Sequence, residues 1–248
     1  MKIQYCGFTD RGNKRSKNQD NIVMCANESS GLFVVADGMG GHSKGEKASA
    51  AIVEYMQGWW NYFQNDIREK HFPQLLKEIQ NCLEQANRYI HENYNVDRVC
   101  GSTVVVLFVH KNQYAFLTCG DSRLYMYHKW KIQQISIDDV WENQPDIIHQ
   151  YTQEQREVHP DFGKLVTAVG TAPQLQLRIN YGMLKGREKF LLCSDGLYRM
   201  CEELEMKRAL FAYRDEKSGL HSLKRMQSIV YQNGAKDNCS VIMVKIKK

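Results

Sequence analysis

Short apolar segments, separated by polar connections, recur along most of this chain. Nine of them are rich in Val, Ile, Phe and Tyr and are short enough to be strands. They are Lys2–Phe8, Ile22–Cys25, Leu32–Ala36, Thr103–Val109, Gln113–Cys119, Arg123–His128, Lys131–Ser136, Lys189–Cys193 and Cys239–Ile246. The connections "HKNQ" at 110–113 and "HKWK" at 128–131 are typical of hairpins, so the sequence predicts largely antiparallel sheets.

Two long segments carry their apolar residues at helical spacing instead. Residues 46–60 and 73–92 repeat apolar side chains every three or four positions, which predicts two amphipathic helices. We predict two shorter helices at 202–212 and 220–232. This order of elements is not a βαβ alternation. It predicts an α+β fold in which helices cover largely antiparallel sheets.

Composition narrows the class of protein further. The chain has 248 residues, four prolines and no linker rich in Pro, Gly or Ser, so we predict one domain over residues 1–248. Its formal net charge of +5 comes from scattered Lys and Arg, so we expect no nucleic-acid partner. It has no apolar run of membrane-spanning length and no signal-peptide pattern. None of the eight cysteines lies in C-x-x-C spacing, which favours free thiols in a cytoplasmic protein.

Five aspartates lie at the edges of predicted strands. Asp20 directly precedes a strand, Asp37, Asp121 and Asp195 follow strand ends, and Asp237 precedes the last strand. Each aspartate alone is explained by turn formation, because Asp and Gly are common turn residues. However, the Asp-Gly pairs in "VVADGMGGH" and "LLCSDGLY" lead toward helices rather than into hairpins. If these strand ends meet, the crowded carboxylates need a cation to compensate their repulsion.

The ligand type indicates which metal would fit. Carboxylate oxygens without a histidine pair at ligand spacing favour Mg²⁺ or Mn²⁺ over Zn²⁺. Several aspartates around two cations are typical of hydrolytic sites, in which metals about 3.5–4 Å apart activate a water for attack on phosphorus.

Seven motifs then follow the order of one known family. They are "TDRGNKRSKNQD" (9–20), "VVADGMGGHSKGEKAS" (34–49), "GSTVVVL" (101–107), "CGDSRLY" (119–125), "TAVG" (167–170), "LLCSDGLY" (191–198) and "KDNCSVIMV" (236–244). With these motifs the chain resembles the metal-dependent Ser/Thr protein phosphatases of the PPM, or type-2C, family in their bacterial form. The resemblance implies a four-layer α-β-β-α sandwich with two antiparallel sheets and hydrolysis by water without a phosphoenzyme.

The resemblance also implies roles for individual residues. Asp37 would bridge two Mn²⁺ or Mg²⁺ ions, and Asp195 and Asp237 would complete the first site. Asp20, largely through water, and the main-chain carbonyl of Gly38 would hold the second ion. Since Gln19 stands where some relatives carry Glu, the second site would depend on Asp20.

Three further residues complete the implied site. Asp121, with Asp195, is similar to the third-metal site of bacterial members. Arg15 would bind the substrate phosphate, because a guanidinium matches two phosphate oxygens. His42 is a candidate general acid for the leaving alkoxide. Its alternative is a simple loop histidine, since Met39 stands where eukaryotic members carry a histidine directly after Asp-Gly.

The resemblance extends to partners and to a variable segment. Residues 138–165 correspond to the family's flap, a common source of substrate preference. Phosphorylated Ser/Thr proteins are the implied substrates, with a cognate Ser/Thr kinase acting in opposition. We expect a cytoplasmic monomer without a membrane partner.

Two alternatives remain open at this point. The segment "CSDGLYR" at 193–199 matches the C-x5-R pattern of cysteine-dependent phosphatases, although Asp195 inside the loop would repel phosphate and raise the thiol pKa. The other alternative is a pseudophosphatase that binds phosphoproteins without turnover. Such a protein should have lost metal aspartates, whereas all five are present together with Arg15.

Overall fold

Eleven strands and seven α-helices form the fold in the residues that the computed structural model describes, which are 1–40, 44–95 and 99–247. The strands are β1 (Lys2–Asp10), β2 (Asp20–Ala26), β3 (Ser30–Met39), β4 (Gly101–Ser102), β5 (Val104–His110), β6 (Gln113–Cys119), β7 (Arg123–His128), β8 (Lys131–Gln134), β9 (Arg178–Met183), β10 (Lys189–Cys193) and β11 (Cys239–Lys247). The helices are α1 (Lys44–Phe63), α2 (Phe72–Tyr94), α3 (Pro145–Gln150), α4 (Gln153–Glu157), α5 (Asp195–Tyr198), α6 (Glu203–Ala212) and α7 (Glu216–Gln232). Short 3-10 turns lie at Ile67–Glu69 and Trp141–Asn143.

The strands form two sheets. The first sheet has the order β1-β11-β10-β7-β8, and the second has the order β2-β3-β5-β6-β9, with β4 paired to β3. Every described pair of neighbouring strands is antiparallel. The turns at 110–113 and 128–131 join β5 to β6 and β7 to β8, which confirms both predicted hairpins.

The core between the sheets follows from the two-residue period of a strand. Successive side chains point to opposite faces, so β3 directs Phe33 and Val35 toward the first sheet and Val34 toward the helices. Phe190 of β10 and Ile242 of β11 fill the same inter-sheet core. Both faces of β3 are therefore buried, which explains why its sequence is continuously apolar rather than alternating.

Helices cover the outer face of each sheet. Ile52 of α1 and Leu83 of α2 belong to the core against the second sheet, and Leu210 of α6 and Met226 of α7 belong to the core against the first. In the described ranges, no helix combines the length and the apolar character that crossing a membrane requires. The order of layers is helix, sheet, sheet, helix, which confirms the predicted α+β sandwich.

Some element boundaries differ from the prediction. The helix predicted at 220–232 begins earlier, because the Asp215 side chain accepts the Ser218 N–H at 2.9 Å and caps the first turn. Strand β9 was not predicted. The segment 138–165 contains α3 and α4, and its ends meet where Val140 bridges to Leu165.

Candidate active site

The ends of several strands surround a pocket of about 320 Å³. Six of the residues predicted from the sequence line it: Arg15, Asp37, Gly38, Asp121, Asp195 and Asp237. Residues without a predicted role also line it, among them Thr103, Gly163, Leu165, Arg199 and Asn238. Four of the five predicted aspartates therefore face one cavity, which we call the acidic pocket.

The fifth aspartate lies beneath this pocket. Asp20 stands opposite Asp37 in the pairing of β2 with β3 and is only 3% exposed. Its Oδ2 accepts a hydrogen bond from Ser194 Oγ at 2.7 Å, whereas its Oδ1 is buried without a hydrogen-bond partner. Burial raises the pKa of Asp20 to about 6. An unsatisfied buried carboxylate oxygen is costly, so Asp20 has an oxygen to offer to a cation.

The pKa of Asp37 is strongly raised by its surroundings. Burial raises this pKa well above the usual range. The negative charges of the other four aspartates add to the shift, in the order Asp20, Asp195, Asp121 and Asp237. In Asp195, burial likewise raises the pKa to about 6, although the nearby Arg199 opposes the shift. The pocket therefore holds more negative charge than the protein itself compensates.

Close backbone packing fixes the position of Asp37. The Thr103 N–H donates to the Asp37 carbonyl at 2.9 Å, and the Gly38 N–H donates to the carbonyl of Gln19 at 3.1 Å. A Cβ at Gly38 would lie 2.1 Å from the carbonyl oxygen of Gly45 at the start of α1. Only glycine fits there, so the residue after Asp37 brings α1 close to β3.

Arg15 forms a two-pronged ion pair with Asp237. Its Nε and Nη2 donate to the two carboxylate oxygens at 2.7 and 2.6 Å. This pairing raises the pKa of Arg15, with smaller contributions from the charges of Asp195 and Asp37. The contact shows that Arg15 reaches the pocket and presents two parallel donors to a pair of oxygens.

A second guanidinium enters the pocket from α5. Arg199 lies with Nε 3.1 Å from Asp195 Oδ2 and Nη2 3.6 Å from Asp121 Oδ2. The Tyr198 hydroxyl donates to the same Asp121 oxygen at 3.1 Å, and the Tyr198 ring stacks 3.5 Å from the guanidinium carbon of Arg123. Sequence reasoning missed Arg199 and Tyr198 as site residues. The available signal was that Arg199 follows Asp195 by one helical turn.

The loop that carries Arg15 is tied to the pocket by Asn238. The Asn238 side chain accepts the Gln19 N–H at 2.9 Å and donates to the carbonyls of Arg11 and Lys17, both at 2.9 Å. One amide therefore holds both ends of the loop. Asn238 belongs to the motif "KDNCSVIMV" at 236–244, but the sequence of this motif does not indicate the positioning role of its asparagine.

The donor set fits divalent cations. Four aspartates in the pocket and Asp20 beneath it offer more carboxylate oxygens than Arg15 and Arg199 contact. With the arginines in place, the described residues contain no group of three His, Cys, Asp or Glu side chains already arranged around a metal position. Because Arg15 and Arg199 hold Asp237, Asp195 and Asp121, binding of a cation would require these side chains to change partners.

Two further residues are candidates from the sequence, His42 as a general acid and Cys193 as a nucleophile. His42 lies outside the described residues, so its role as a general acid stays a prediction. Cys193 is completely buried and is not among the described residues that line the pocket. Burial also raises the pKa of its thiol far above the usual value. A thiolate nucleophile at Cys193 is therefore inconsistent with the structure.

Together, the layered sandwich and the acidic pocket with the two parallel donors of Arg15 are typical of metal-dependent hydrolases of phosphate esters. Comparison with known sequences identifies the family. The family model described as Protein phosphatase 2C matches residues 10–236, which is most of the chain. The chain belongs to the protein phosphatase 2C family.

Named relatives agree with this assignment. The chain is 28% identical to the serine/threonine phosphatase stp of Listeria welshimeri, over 96% of this chain and 93% of that protein. It is 30% identical to the protein phosphatase PhpP of Streptococcus pneumoniae, over 81% of each. A solved structure of the catalytic domain of the serine/threonine protein phosphatase PstP in complex with two manganese ions has a TM-score of 0.78, with 23% identity and 99% of each chain covered. The last similarity supports the fold.

Proposed function

We propose that the acidic pocket hydrolyses phosphoserine and phosphothreonine in proteins by direct attack of water, with Mn²⁺ or Mg²⁺ bound by the clustered aspartates. Family membership makes the chain a metal-dependent protein serine/threonine phosphatase. The observation that carries the site assignment is that four aspartates and Arg15, from separate parts of the sequence, line one cavity.

The metal-binding roles follow from the positions of the carboxylates. We infer that Asp37 would contribute to two cation sites, that Asp195 and Asp237 would complete the first, and that Asp20 with the Gly38 carbonyl would hold the second. The unpartnered Oδ1 of Asp20 and the raised pKa values in the cluster support this assignment. When bound, such cations lower the pKa of water and neutralise developing negative charge on the phosphate.

Arg15 would bind the substrate phosphate by donating to two phosphate oxygens in place of the two carboxylate oxygens of Asp237. It already contacts the two oxygens of Asp237 with parallel donors at 2.7 and 2.6 Å. A phosphate monoester presents oxygens that suit the same fork. Release of Asp237 toward a cation would therefore leave Arg15 free to orient the substrate.

A third cation would compete with Arg199. Asp121 and Asp195 are the carboxylates that the family resemblance implies for it, and both lie against the Arg199 guanidinium. We infer that Asp121 and Asp195 would hold a third ion only if Arg199 gave up its contacts with them, and that the Tyr198 hydroxyl would keep Asp121 oriented. His42 is the candidate that would protonate the leaving alkoxide.

The partners follow from the reaction class. Phosphorylated Ser/Thr proteins are the substrates, and a cognate Ser/Thr kinase supplies them by the opposite reaction. We propose that residues 1–248 form one domain that acts as a cytoplasmic monomer without a nucleic-acid partner.

The direct test is hydrolysis of p-nitrophenyl phosphate and of a phosphothreonine peptide with Mn²⁺. We expect Asp37→Asn or excess EDTA to lower turnover at least about a thousandfold, because the activated water is lost. The matched control Asp66→Asn removes an exposed carboxylate and should leave turnover within about twofold. If wild type turns over neither substrate faster than Asp37→Asn, the active-enzyme proposal fails. Turnover at the background rate by both proteins would favour the pseudophosphatase.

A further inference from the structure

A second, larger cavity lies away from the acidic pocket, with a volume of about 760 Å³. Its walls come from the turn between β7 and β8, the turn before β10, the end of α6 and the end of β11. Six cationic residues line it: Lys129, Lys185, Arg187, Lys189, Lys245 and Lys247. None of its described lining residues is acidic. We call this cavity the basic groove.

The basic groove accounts for the positive charge of the chain. The sequence has 33 Lys and Arg against 28 Asp and Glu, and subtracting the six groove cations leaves 27 against 28. The rest of the protein is therefore close to neutral. A cluster of one sign focuses its field into the cavity and attracts ligands of the opposite sign.

The groove cations repel one another. Burial, with smaller contributions from the charges of Lys245 and Arg214, lowers the pKa of Lys189 to about 8. The Lys189 ammonium donates to the carbonyl of Phe211 at 3.2 Å, so neutral dipoles rather than a carboxylate hold it in place. Asp215 is a counter-charge to Lys245, but its Oδ1 also caps α7. The cluster keeps positive charge for a ligand to neutralise.

Exposed aromatic rings stand beside these cations. Trp130 is 69% exposed and Phe211 is 45% exposed, and their ring centroids are 5.3 Å apart. Both Lys129 and Trp130 have a positive φ, of 48° and 69°, which is unusual for bulky residues. This turn therefore presents a large ring to solvent in a backbone region that ordinarily favours glycine. Trp is one of the residues enriched among binding hot spots.

The neighbouring strand favours a peptide over a nucleic acid. β8 follows Trp130 directly and is the terminal strand of the first sheet, paired with β7 on one side. An extended peptide can pair with such an edge through its own backbone, whereas a nucleic acid cannot. The cavity volume suits a few side chains rather than a long phosphate backbone.

We propose that the basic groove binds an acidic segment, with an apolar or aromatic residue, of the phosphoprotein that the acidic pocket dephosphorylates. The identity of this partner rests on the proposed function. Along β11 the groove at Lys245 is about 20 Å from Cys239 beside the pocket, at about 3.3 Å per residue. The phosphosite and the acidic segment are therefore separate parts of the substrate. Binding of the acidic segment in the groove raises the effective concentration of the phosphosite at the acidic pocket.

The binding test uses a fluorescein-labelled, unphosphorylated, glutamate-rich peptide with one phenylalanine, measured by fluorescence anisotropy. We expect the double variant Lys129→Glu/Lys185→Glu to bind at least about tenfold more weakly than wild type. Its matched control is Lys77→Glu/Arg88→Glu on α2, which makes the same charge change at exposed positions outside the groove. The control should bind within about twofold of wild type. Trp130→Ala should also weaken binding.

Three results would overturn the proposal. They are no binding by wild type, an equal loss in both double variants, and displacement of the peptide by single-stranded DNA at a lower concentration than by unlabelled peptide. The wild type should also show a KM about tenfold lower for a phosphothreonine peptide with a glutamate-rich extension than for the same peptide without it. An unchanged KM would also count against the proposal.

The two proposals fail in different ways. Without hydrolysis of p-nitrophenyl phosphate the proposed function fails, while the anisotropy still decides whether the groove binds the peptide. If p-nitrophenyl phosphate is hydrolysed and the peptide does not bind, only the groove proposal fails. Lys129→Glu/Lys185→Glu should leave p-nitrophenyl phosphate turnover within about twofold of wild type, because neither residue lines the acidic pocket.

Discussion

The acidic pocket and the basic groove lie at opposite ends of the same two strands, β10 and β11. The middle of each strand is buried and apolar, as Leu192 and Ile242 show. At one end, burial raises the pKa of Asp195 to about 6, with neighbouring aspartates adding to the shift. At the other end, burial lowers the pKa of Lys189 to about 8, with neighbouring cations adding to that shift. The apolar middle of these strands therefore separates a cluster of negative charge at one end from a cluster of positive charge at the other.

The two ends differ in how their charges are held. In the pocket, Arg15 and Arg199 already pair with carboxylates, so a ligand must exchange partners with the protein. In the groove, the ammonium of Lys189 donates to backbone carbonyls instead, and its positive charge remains available. The pocket is thus suited to cations together with a phosphate, and the groove is suited to an anionic peptide. Three predictions test this contrast.

Removing the guanidinium fork should have the largest effect. We expect Arg15→Ala to lower kcat/KM for a phosphothreonine peptide about a hundredfold, because two charge-assisted hydrogen bonds to phosphate are lost. Lys14→Ala, which removes an exposed cation from the same loop, should stay within about twofold. Steady-state kinetics measures both. If both variants kept wild-type kcat/KM, Arg15 would be only a partner of Asp237.

Removing the hydroxyl of Tyr198 should have an intermediate effect. In Tyr198→Phe the ring can still stack on Arg123, but the donor to Asp121 is lost. We expect the Mn²⁺ concentration for half-maximal activity to rise by up to about tenfold, the value of one hydrogen bond to a charged group. Tyr231→Phe is the control, because Tyr231 donates to Asp10 outside the pocket. Identical Mn²⁺ curves for both variants would mean that the Tyr198 hydroxyl does not position Asp121 for a metal.

The smallest of the three expected effects is a difference in salt dependence between the groove and the pocket. Exposed groove cations are screened by salt, whereas the buried aspartates at the pocket, such as Asp20 and Asp121, are screened much less. Raising the salt concentration from low to physiological should weaken anisotropy binding of the acidic peptide by about threefold to tenfold, with little change in p-nitrophenyl phosphate turnover. Equal salt dependence of the two signals would mean that the groove does not bind through its charges.

The layers of the fold could be predicted because burial leaves a periodic signal. Both faces of β3 and β5 are buried, so their sequences are continuously apolar, and α1 and α2 show helical spacing. β9 was missed because its residues are mostly exposed or half-buried and include Asn180 and Gly182. Its pairing with β6 supplies the stability that its own sequence does not indicate.

Site residues could be predicted only where an aspartate lies directly beside an apolar run that predicts a strand. Asp37 and Asp195 directly follow apolar runs and precede glycine, so the sequence indicates them, although β3 continues past Asp37 to Met39 and Asp195 is the first residue of α5. Arg199 and Tyr198 were missed because their approach to Asp121 depends on the direction of the short helix α5. The basic groove left no local signal, since its cations come from segments more than fifty residues apart that only the sheet brings together.

The central claim is that Asp37 and its neighbours hold divalent cations, and isothermal titration calorimetry with Mn²⁺ tests it most directly. The wild type should bind at least about two ions per chain, and Asp66→Asn should match it. Asp37→Asn should lose measurable binding of both ions, because the residue proposed to serve both sites no longer carries charge. An Asp37→Asn variant that binds Mn²⁺ with wild-type stoichiometry and affinity would contradict the account.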